Sequence, residues 1–252
     1  MNSRQKYIAF MTIFSEEVRR SLRTWKQTFL PAIITTVLYF LIFGTFIGSQ
    51  ISSMGGVSYM SFIIPGLVMM AVLQNSFQSM LSKFYFLKWQ KTIQEILISP
   101  MPAWLVVFSY ISASVFNGFI IGVLVFLSSY FFESIINLKF KNMKLLIFFA
   151  LLGLINAIYA KTFDDIGIVQ TFVITPLTYL GGVFYSITLL PDTWQMVSHF
   201  NPILYMISAF RYSILGFSDI SLMTCMLVIC TGVLTAFSWV VYLFKTGRGL
   251  KA

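Results

Sequence analysis

Residues 59–82 read YMSFIIPGLVMMAVLQNSFQSMLS, a run in which no side chain is charged. An α-helix rises about 1.5 Å per residue, so about 20 residues cross the roughly 30 Å of hydrocarbon in a bilayer. This run is long enough to cross as one helix, and its polar residues, such as Gln74, Asn75 and Gln78, are neutral. It therefore predicts a transmembrane helix.

The composition of the whole chain points to the same environment. Of its 252 residues, 58% are hydrophobic and 10% are charged, and the mean hydropathy is +0.85. A soluble domain is typically about 45–50% apolar and about 25% charged. The charges are too few to cover a soluble surface, and an aromatic content of 17% excludes disorder. We predict an all-α integral membrane protein.

Five further runs are apolar enough to cross, or nearly so. The fourth run is wholly apolar only over 145–160 and reaches full length if Lys144 and Lys161 extend their charged ends to the interfaces. No linker divides the chain, so we predict a single transmembrane domain over 1–252. The six predicted spans are 29–48, 59–82, 103–132, 143–163, 166–187 and 220–244.

The basic residues give the orientation. Six spans place both termini on one side, and Lys and Arg are concentrated in cytoplasmic segments. With cytoplasmic termini, the basic residues left outside are Lys139, Lys141, Lys144 and Arg211. The opposite orientation places most of the 17 basic residues outside, so we predict cytoplasmic termini in a bacterial inner membrane. The net charge of +9 is then explained by orientation, and no nucleic-acid partner is expected.

The N-terminal segment, 1–28, has the pattern of an amphipathic helix. Apolar residues such as Phe14, Val18 and Leu22 recur at spacings of three and four, and basic residues occupy the other faces. Such a helix lies in the membrane interface. It serves either as a lipid-surface anchor or as a docking surface for a partner, and the pattern leaves both open. Its candidate interface residues are Arg19, Arg20, Arg23 and Trp25.

The segment 188–219, between the last two spans, is predicted to lie on the outer side. Its apolar piece from 203 to 210 is too short to cross a bilayer. We expect short helices that dip back into the outer leaflet. The residues that characterise this re-entrant segment are Pro191, Trp194, Asn201 and Pro202.

Several kinds of chemistry are absent from the sequence. The six apolar runs, with the fourth taken as 145–160, contain no ionisable residue, whereas ion-coupled transporters usually carry one within the membrane. The phosphate-binding motif G-x-x-x-x-G-K-[ST] is also absent, so this chain has no P-loop for ATP. The neutral polar and aromatic residues of the spans are either packing partners or parts of a path for a substrate. The candidate path residues are Gln74, Asn75, Asn117, Tyr179 and Tyr185.

Two rival functions remain open on these observations. Asp164 and Asp165 form an adjacent carboxylate pair, which either binds a divalent cation with a lipid-linked phosphate substrate or is a solvated or helix-capping pair. The first alternative makes the chain a membrane enzyme. The second rival is a channel or transporter that works without ATP.

Specific stretches resemble a known family of membrane proteins. They are FIIPGL at 62–67, EILISP at 95–100, AKTFDD at 160–165, PLTYLGGVFY at 176–185, LLP at 189–191, NPILYM at 201–206 and GRGL at 247–250. Together they resemble the membrane permeases of type-2 ABC transporters, and the resemblance covers essentially the whole chain. The motifs near the last two spans are specific, whereas the apolar runs between them are not.

The resemblance implies a function that is consistent with the absence of a P-loop and of ionisable residues in the apolar runs. Permeases of this family have six spans, pair as homodimers and bind two copies of a separate ATP-hydrolysing subunit on the cytoplasmic side. The chain itself then binds no cofactor and is not an enzyme, and ATP and Mg²⁺ lie on the partner. The resemblance implies an exporter whose substrate the sequence does not identify.

By the same resemblance, the loop 83–102 carries a coupling helix that sits in a groove of the ATPase. Without the resemblance, this segment is an ordinary cytoplasmic loop. Many relatives have Glu where this chain has Gln94, so a charged contact is either absent here or moved to Glu95. We expect Ile93, Ile96 and Leu97 to form one apolar edge of the helix. The predicted coupling residues are Lys91, Thr92, Ile93, Gln94, Glu95, Ile96 and Leu97.

Overall fold

The computed structural model describes residues 1–51, 53–132, 155, 158–159 and 163–247, and the protein is all-helical. The helices are α1 (Ser3–Arg23), α2 (Trp25–Ile47), α3 (Tyr59–Trp89), α4 (Thr92–Ile98), α5 (Ala103–Ser129), α6 (Phe163–Val169, continuing through Gln170–Ile174 and Thr175–Tyr179), α7 (Asp192–His199), α8 (Pro202–Leu215) and α9 (Leu222–Thr246). The last part of α2, Phe40–Ile47, and the middle of α6, Gln170–Ile174, have π-helical hydrogen bonding.

Four described helices, α2, α3, α5 and α9, are long and apolar enough to cross a membrane. They coincide with the predicted spans 29–48, 59–82, 103–132 and 220–244. The predicted span 143–163 lies almost entirely outside the described residues, as do the lysines of 139–144 and the GRGL tail beyond Gly247.

The predicted span 166–187 is wrong at its far end, because α6 ends at Tyr179. Gly182 follows with φ of +74°, in the left-handed region that ends helices and that glycine adopts without strain. Gly181 lies against Ile203 and Ile207 of α8. The chain therefore leaves the helix to pack under α8.

Helix α3 forms the centre of the bundle. In its most apolar stretch 78% of residues are buried, against 17% in α2. It packs along α5, where a Cβ at Gly118 would overlap Ser76 Oγ, so glycine allows the two backbones to approach. At the other end of α3, a Cβ at Gly66 would lie 2.7 Å from the Val183 carbonyl oxygen, which places the turn after α6 directly against α3.

Helix α1 packs on this central pair. The ring of Phe10 lies 5.6 Å from that of Phe108, and Phe14 lies 5.8 Å from Phe116, both partners being on α5. Exposed apolar side chains remain on the other faces, among them Tyr7 and Met11. One face of α1 is therefore part of the bundle, and another is left for the bilayer.

The predicted end of span two at residue 82 is too early, because α3 continues to Trp89. Lys83 is buried within this extension, and its Nζ lies 3.7 Å from Oε2 of the buried Glu17 on α1. The ion pair compensates for the burial of the charge of Lys83 within the bundle. The predicted loop 83–102 therefore begins as helix, and its remaining part contains α4.

Arg211 on α8 belongs to the segment predicted to lie on the outer side, and only 1% of it is exposed. Its Nη2 donates to the Gly182 carbonyl at 2.6 Å, its Nη1 lies 3.8 Å from Asp219 Oδ2, and its guanidinium stacks 3.9 Å from the centroid of the Phe62 ring. Asp219 also accepts hydrogen bonds from Ser186 Oγ and the Ile187 N–H. Arg211 therefore ties together α3, α8 and the turns on either side.

Candidate functional site

A cleft of about 280 Å³ opens between α2, α3 and α6. Its lining combines amide, hydroxyl and apolar side chains, and none of the described lining residues is charged. The lining residues are Gln27, Thr28, Pro31, Ala32, Thr35, Thr36, Tyr39, Leu67, Met70, Ala71, Gln74, Asn75, Gln78 and Gln170.

Helical periodicity explains how these residues meet. Residues three and four apart lie on one face of a helix, and the polar lining of α2 and α3 follows this spacing. On α3 the face runs from Leu67 through Gln74 to Gln78, a length of about 16 Å at about 1.5 Å per residue. The cleft therefore begins at Gln78, about three helical turns before the end of α3 at Trp89, and extends away from α4.

An aromatic cluster of Tyr39, Phe43, Tyr179 and Phe184 lies at the far end of the cleft, where Tyr39 is a lining residue. The hydroxyls of Tyr39 and Tyr179 share a hydrogen bond of 2.8 Å. The rings of Phe43 and Phe184 lie 4.2 Å apart, and Tyr59 donates to the Phe184 carbonyl at 3.1 Å. These contacts connect α2, α3 and the turn after α6 across the end of the cleft.

The structure brings together only some of the predicted path residues. Gln74 and Asn75 line the cleft, whereas Tyr179 is not a lining residue but shares a hydrogen bond with the lining residue Tyr39. Tyr185 is half-buried and is not among the lining residues.

Asn117, also predicted to face a path, lies elsewhere. It is buried on α5, where its Nδ2 donates to Ser21 Oγ at 2.8 Å and to Ser79 Oγ at 3.2 Å. It therefore joins α1, α3 and α5, which is the packing role that the sequence left open.

The path prediction also missed lining residues. Gln27 lies just before the predicted span one, Thr35 and Thr36 lie within that span, and Gln170 lies in span five. The signal was the recurrence of hydroxyls along α2 at positions 28, 35, 36 and 39, which puts them on one helical face.

Helix α4 forms where the coupling helix was predicted. It follows a sharp turn at Lys91, whose φ of +60° is the one left-handed value at a non-glycine residue in the described part of the chain. Gln94 and Glu95 are exposed, whereas Ile93 is only 1% exposed and lies in the core of this chain. Thr92, Ile96 and Leu97 complete the predicted set.

The expected apolar edge of α4 is therefore arranged differently. Ile93 and Ile96 pack against this chain's core, and the side chain of Leu97 lies outside the described part. The next residue, Ile98, is 84% exposed. Among the described side chains of α4, it is the exposed apolar one.

The predicted interface residues of the N-terminal segment divide into two groups. Arg20 faces the bundle, with its guanidinium 5.1 Å from the centroid of the Phe86 ring on α3. Arg19, Arg23 and Trp25 are exposed. Trp25 already belongs to α2, so the chain turns from α1 into the first long helix at Thr24.

The four predicted residues of segment 188–219 occupy helix starts and an exposed surface. Pro191 precedes α7, Trp194 is exposed on it, and Pro202 opens α8. Asn201 caps α8 by accepting from the Ile203 N–H at 3.0 Å, and its Nδ2 donates to the Leu177 carbonyl at 2.6 Å. The short helices expected here are present.

The described residues contain no group of three or more His, Cys, Asp and Glu that could hold a metal ion. Asp165 is half-buried near the start of α6, and the side chain of Asp164 lies outside the described part.

Comparisons with known proteins agree with this architecture. Residues 8–215 match the family model described as ABC-2 type transporter. The chain is 44% identical over 251 residues to the inner membrane transport permease YadH of Escherichia coli K12, covering 98% of each chain, and equally similar to that of Shigella flexneri. It is 24% identical over 208 residues to nodulation protein J of Rhizobium leguminosarum bv. viciae, covering 79% of this chain and 80% of that protein. The chain therefore belongs to the ABC-2 type transporter family, whose members are membrane permeases without a nucleotide-binding domain.

Proposed function

We propose that this chain is the membrane-spanning subunit of a bacterial ABC exporter that works as a homodimer with two copies of a separate ATPase. The observation that carries the proposal is the continuity of α3, which lines the cleft from Leu67 to Gln78 and then extends to Trp89, directly before α4. A force applied to α4 therefore acts on the wall of the cleft through one rigid helix.

The surface of α4 supports a cytoplasmic partner. Ile98 is an exposed apolar side chain beside the exposed Gln94 and Glu95, and Ile93 anchors the helix to the bundle. An apolar anchor surrounded by polar contacts is the usual centre of a protein interface. We place the ATPase on this surface.

The exposed face of α2 supports pairing with a second copy. Ile34, Leu38 and Phe46 lie exposed along the helix that forms one wall of the cleft. A second copy that covers this face turns two clefts toward a shared path. The path then opens toward the cytoplasm and is closed at its outer end by the aromatic cluster.

The transport cycle follows from differential binding. A ligand shifts an equilibrium between two conformations only when it binds one of them more tightly. ATP-bound ATPase that prefers a different position of α4 would therefore move α3 against α2 and α6 and separate the aromatic cluster.

The test is co-expression with candidate ABC ATPases of the source bacterium, followed by purification through a tag on this chain. We expect one ATPase to co-purify and ATP hydrolysis to occur only in the complex. Ile98→Asp and Glu95→Arg should abolish co-purification, whereas the matched changes Ile98→Leu and Glu95→Gln should preserve it.

Four results would contradict the proposal. ATP hydrolysis by this chain alone would contradict it, as would a complex that tolerates Ile98→Asp and Glu95→Arg together. Turnover of a lipid-linked phosphate that is lost in Asp165→Asn would favour a membrane enzyme, and flux without any ATPase would favour a channel or an ion-coupled transporter.

A further inference from the structure

We propose that the cleft between α2, α3 and α6 selects an electrically neutral ligand that carries hydroxyl groups, such as a sugar or the head group of a neutral glycolipid. This inference rests on the proposed transport function and names the class of substrate for the same site.

The lining chemistry favours a neutral ligand over a charged one on energetic grounds. Removing a charge from water is strongly unfavourable unless an opposite charge or several hydrogen bonds replace the solvent. The cleft offers Gln, Asn, Thr and Tyr side chains and no described counter-charge. These groups both donate and accept hydrogen bonds, which matches a hydroxyl, since a hydroxyl also does both.

Gln170 is the lining residue with the most specific capacity to bind a ligand. Its Oε1 is buried but accepts no hydrogen bond from any described residue. A buried acceptor without a donor destabilises the state in which it occurs, so a ligand donor at this position would be stabilising. A neutral O–H group supplies that donor.

The local backbone of α6 places Gln170 at an irregular turn. The π-helical stretch Gln170–Ile174 begins at this residue, and Thr175 Oγ1 donates to the Gln170 carbonyl at 2.9 Å. Short π-helical turns within α-helices occur frequently at functional sites. The turn and the unpaired amide are independent observations at one position of the cleft wall.

The volume favours a small polar group. The cleft volume of about 280 Å³ lies just below the roughly 300–1,000 Å³ of typical ligand pockets. One head group fits this space, with apolar side chains such as Leu67 and Met70 beside it. The ligand therefore enters one unit at a time, as a free sugar or as the head of a lipid.

The test uses the full-length chain in nanodiscs, without an ATPase, and three photoactivatable probes that share one octyl chain. Their head groups are glucose, phosphate and trimethylammonium. After irradiation, labelled peptides are mapped by mass spectrometry. We expect the glucoside to label the cleft segments 27–39 and 67–78 at several-fold lower concentration than either charged probe.

Variants separate recognition in the cleft from simple partitioning. Gln170→Leu and, separately, Thr35→Val should raise the half-saturating glucoside concentration about threefold to tenfold, the range that one neutral hydrogen bond supplies. Gln50→Leu is the matched control, because Gln50 is exposed and lies outside the cleft. Labelling of the apolar groove between α1, α5 and α9, which includes Phe116 and Phe237, reports the octyl chain alone and should be equal for all probes.

The outcomes distinguish a soluble sugar from a glycolipid as the ligand. They also distinguish failure of the ligand class from failure of the proposed transport function. Competition by free glucose indicates a soluble sugar as the ligand, and competition only by unlabelled octyl glucoside indicates a glycolipid. Stronger cleft labelling by a charged probe, or equal effects of Gln170→Leu and Gln50→Leu, would overturn the ligand class even if the ATPase complex forms. Selective labelling without any ATPase complex would instead leave the ligand class standing and overturn the proposed function.

Discussion

The buried ion pair between Glu17 and Lys83 allows a quantitative prediction. The two charged atoms lie 3.7 Å apart on α1 and α3, and both side chains are nearly inaccessible. At an effective dielectric constant of about 20, the attraction at this distance is about 4 kcal/mol, most of which is offset by desolvation. Removing one partner leaves a buried charge alone and typically destabilises by about 3–5 kcal/mol.

The structure predicts an asymmetry between the two single changes. Arg20 lies near Lys83 and repels it. In Glu17→Leu, Lys83 therefore faces a like charge without compensation. In Lys83→Met, Glu17 keeps Arg20 one turn away on its own helix, so the loss should be smaller.

The assay is thermal unfolding of the purified protein in detergent. For a chain of this size, about 1 kcal/mol shifts the midpoint by about 2–4 °C. Glu17→Leu should lower the midpoint by about 6–20 °C and Lys83→Met by less. The double variant should unfold close to the wild type, because no unpaired charge remains. Single-variant shifts below about 2 °C would show that the ion pair does not stabilise the fold. A double-variant shift equal to the sum of the two single shifts would show that Glu17 and Lys83 act independently.

Three further predictions follow from buried or strained positions. Arg211→Met removes the donor to the Gly182 carbonyl and leaves Asp219 buried without its cation, so it should lower stability by about 3–5 kcal/mol and reduce the yield of folded protein; wild-type yield and melting would contradict this role. Lys91→Gly should raise the midpoint slightly, because glycine adopts positive φ without the roughly 1 kcal/mol of strain, whereas Lys91→Val should lower it; the reverse order would show that the turn is not strained. Gly118→Val should overpack the contact with Ser76 and lower stability by about 1–3 kcal/mol, with Gly167→Val, at an open position, as a control whose equal loss would argue against close packing.

The long helices could be predicted from the sequence because length and hydropathy are local properties. The runs that form α2, α3, α5 and α9 contain enough apolar residues to be predicted as membrane-spanning helices. The ends were harder to predict. The burial of Lys83 depends on Glu17, which is distant in the sequence, and no local sequence pattern predicts that the two residues pair.

Arg211, at the other end of the bundle, is also buried through contacts that a local sequence pattern does not predict. Its burial depends on the Gly182 carbonyl and on Asp219, which come from two separate turns. The early end of α6, in contrast, was signalled by Gly181 and Gly182. The prediction gave more weight to the apolar residues around these glycines and therefore extended the span beyond them.

The candidate site was partly visible in the sequence. Gln74 and Asn75 are neutral polar residues in the middle of a long apolar run, and both line the cleft. Asn117 has the same character but lies on α5, which does not border the cleft. Composition identifies polar residues within the membrane, and only the packing of the helices decides whether such a residue faces a cleft or another helix.

In the proposed transport cycle, movement of α4 changes the cleft. The test uses proteoliposomes that contain the ATPase and this chain with Cys225 and Cys230 replaced by alanine. It measures the reactivity of Thr35→Cys, at the cleft wall, toward a membrane-impermeant maleimide. We predict that ATP changes the labelling rate at this position and that Ile98→Asp abolishes the change. A labelling rate that is the same with and without ATP, in a complex that hydrolyses ATP, would contradict the claim.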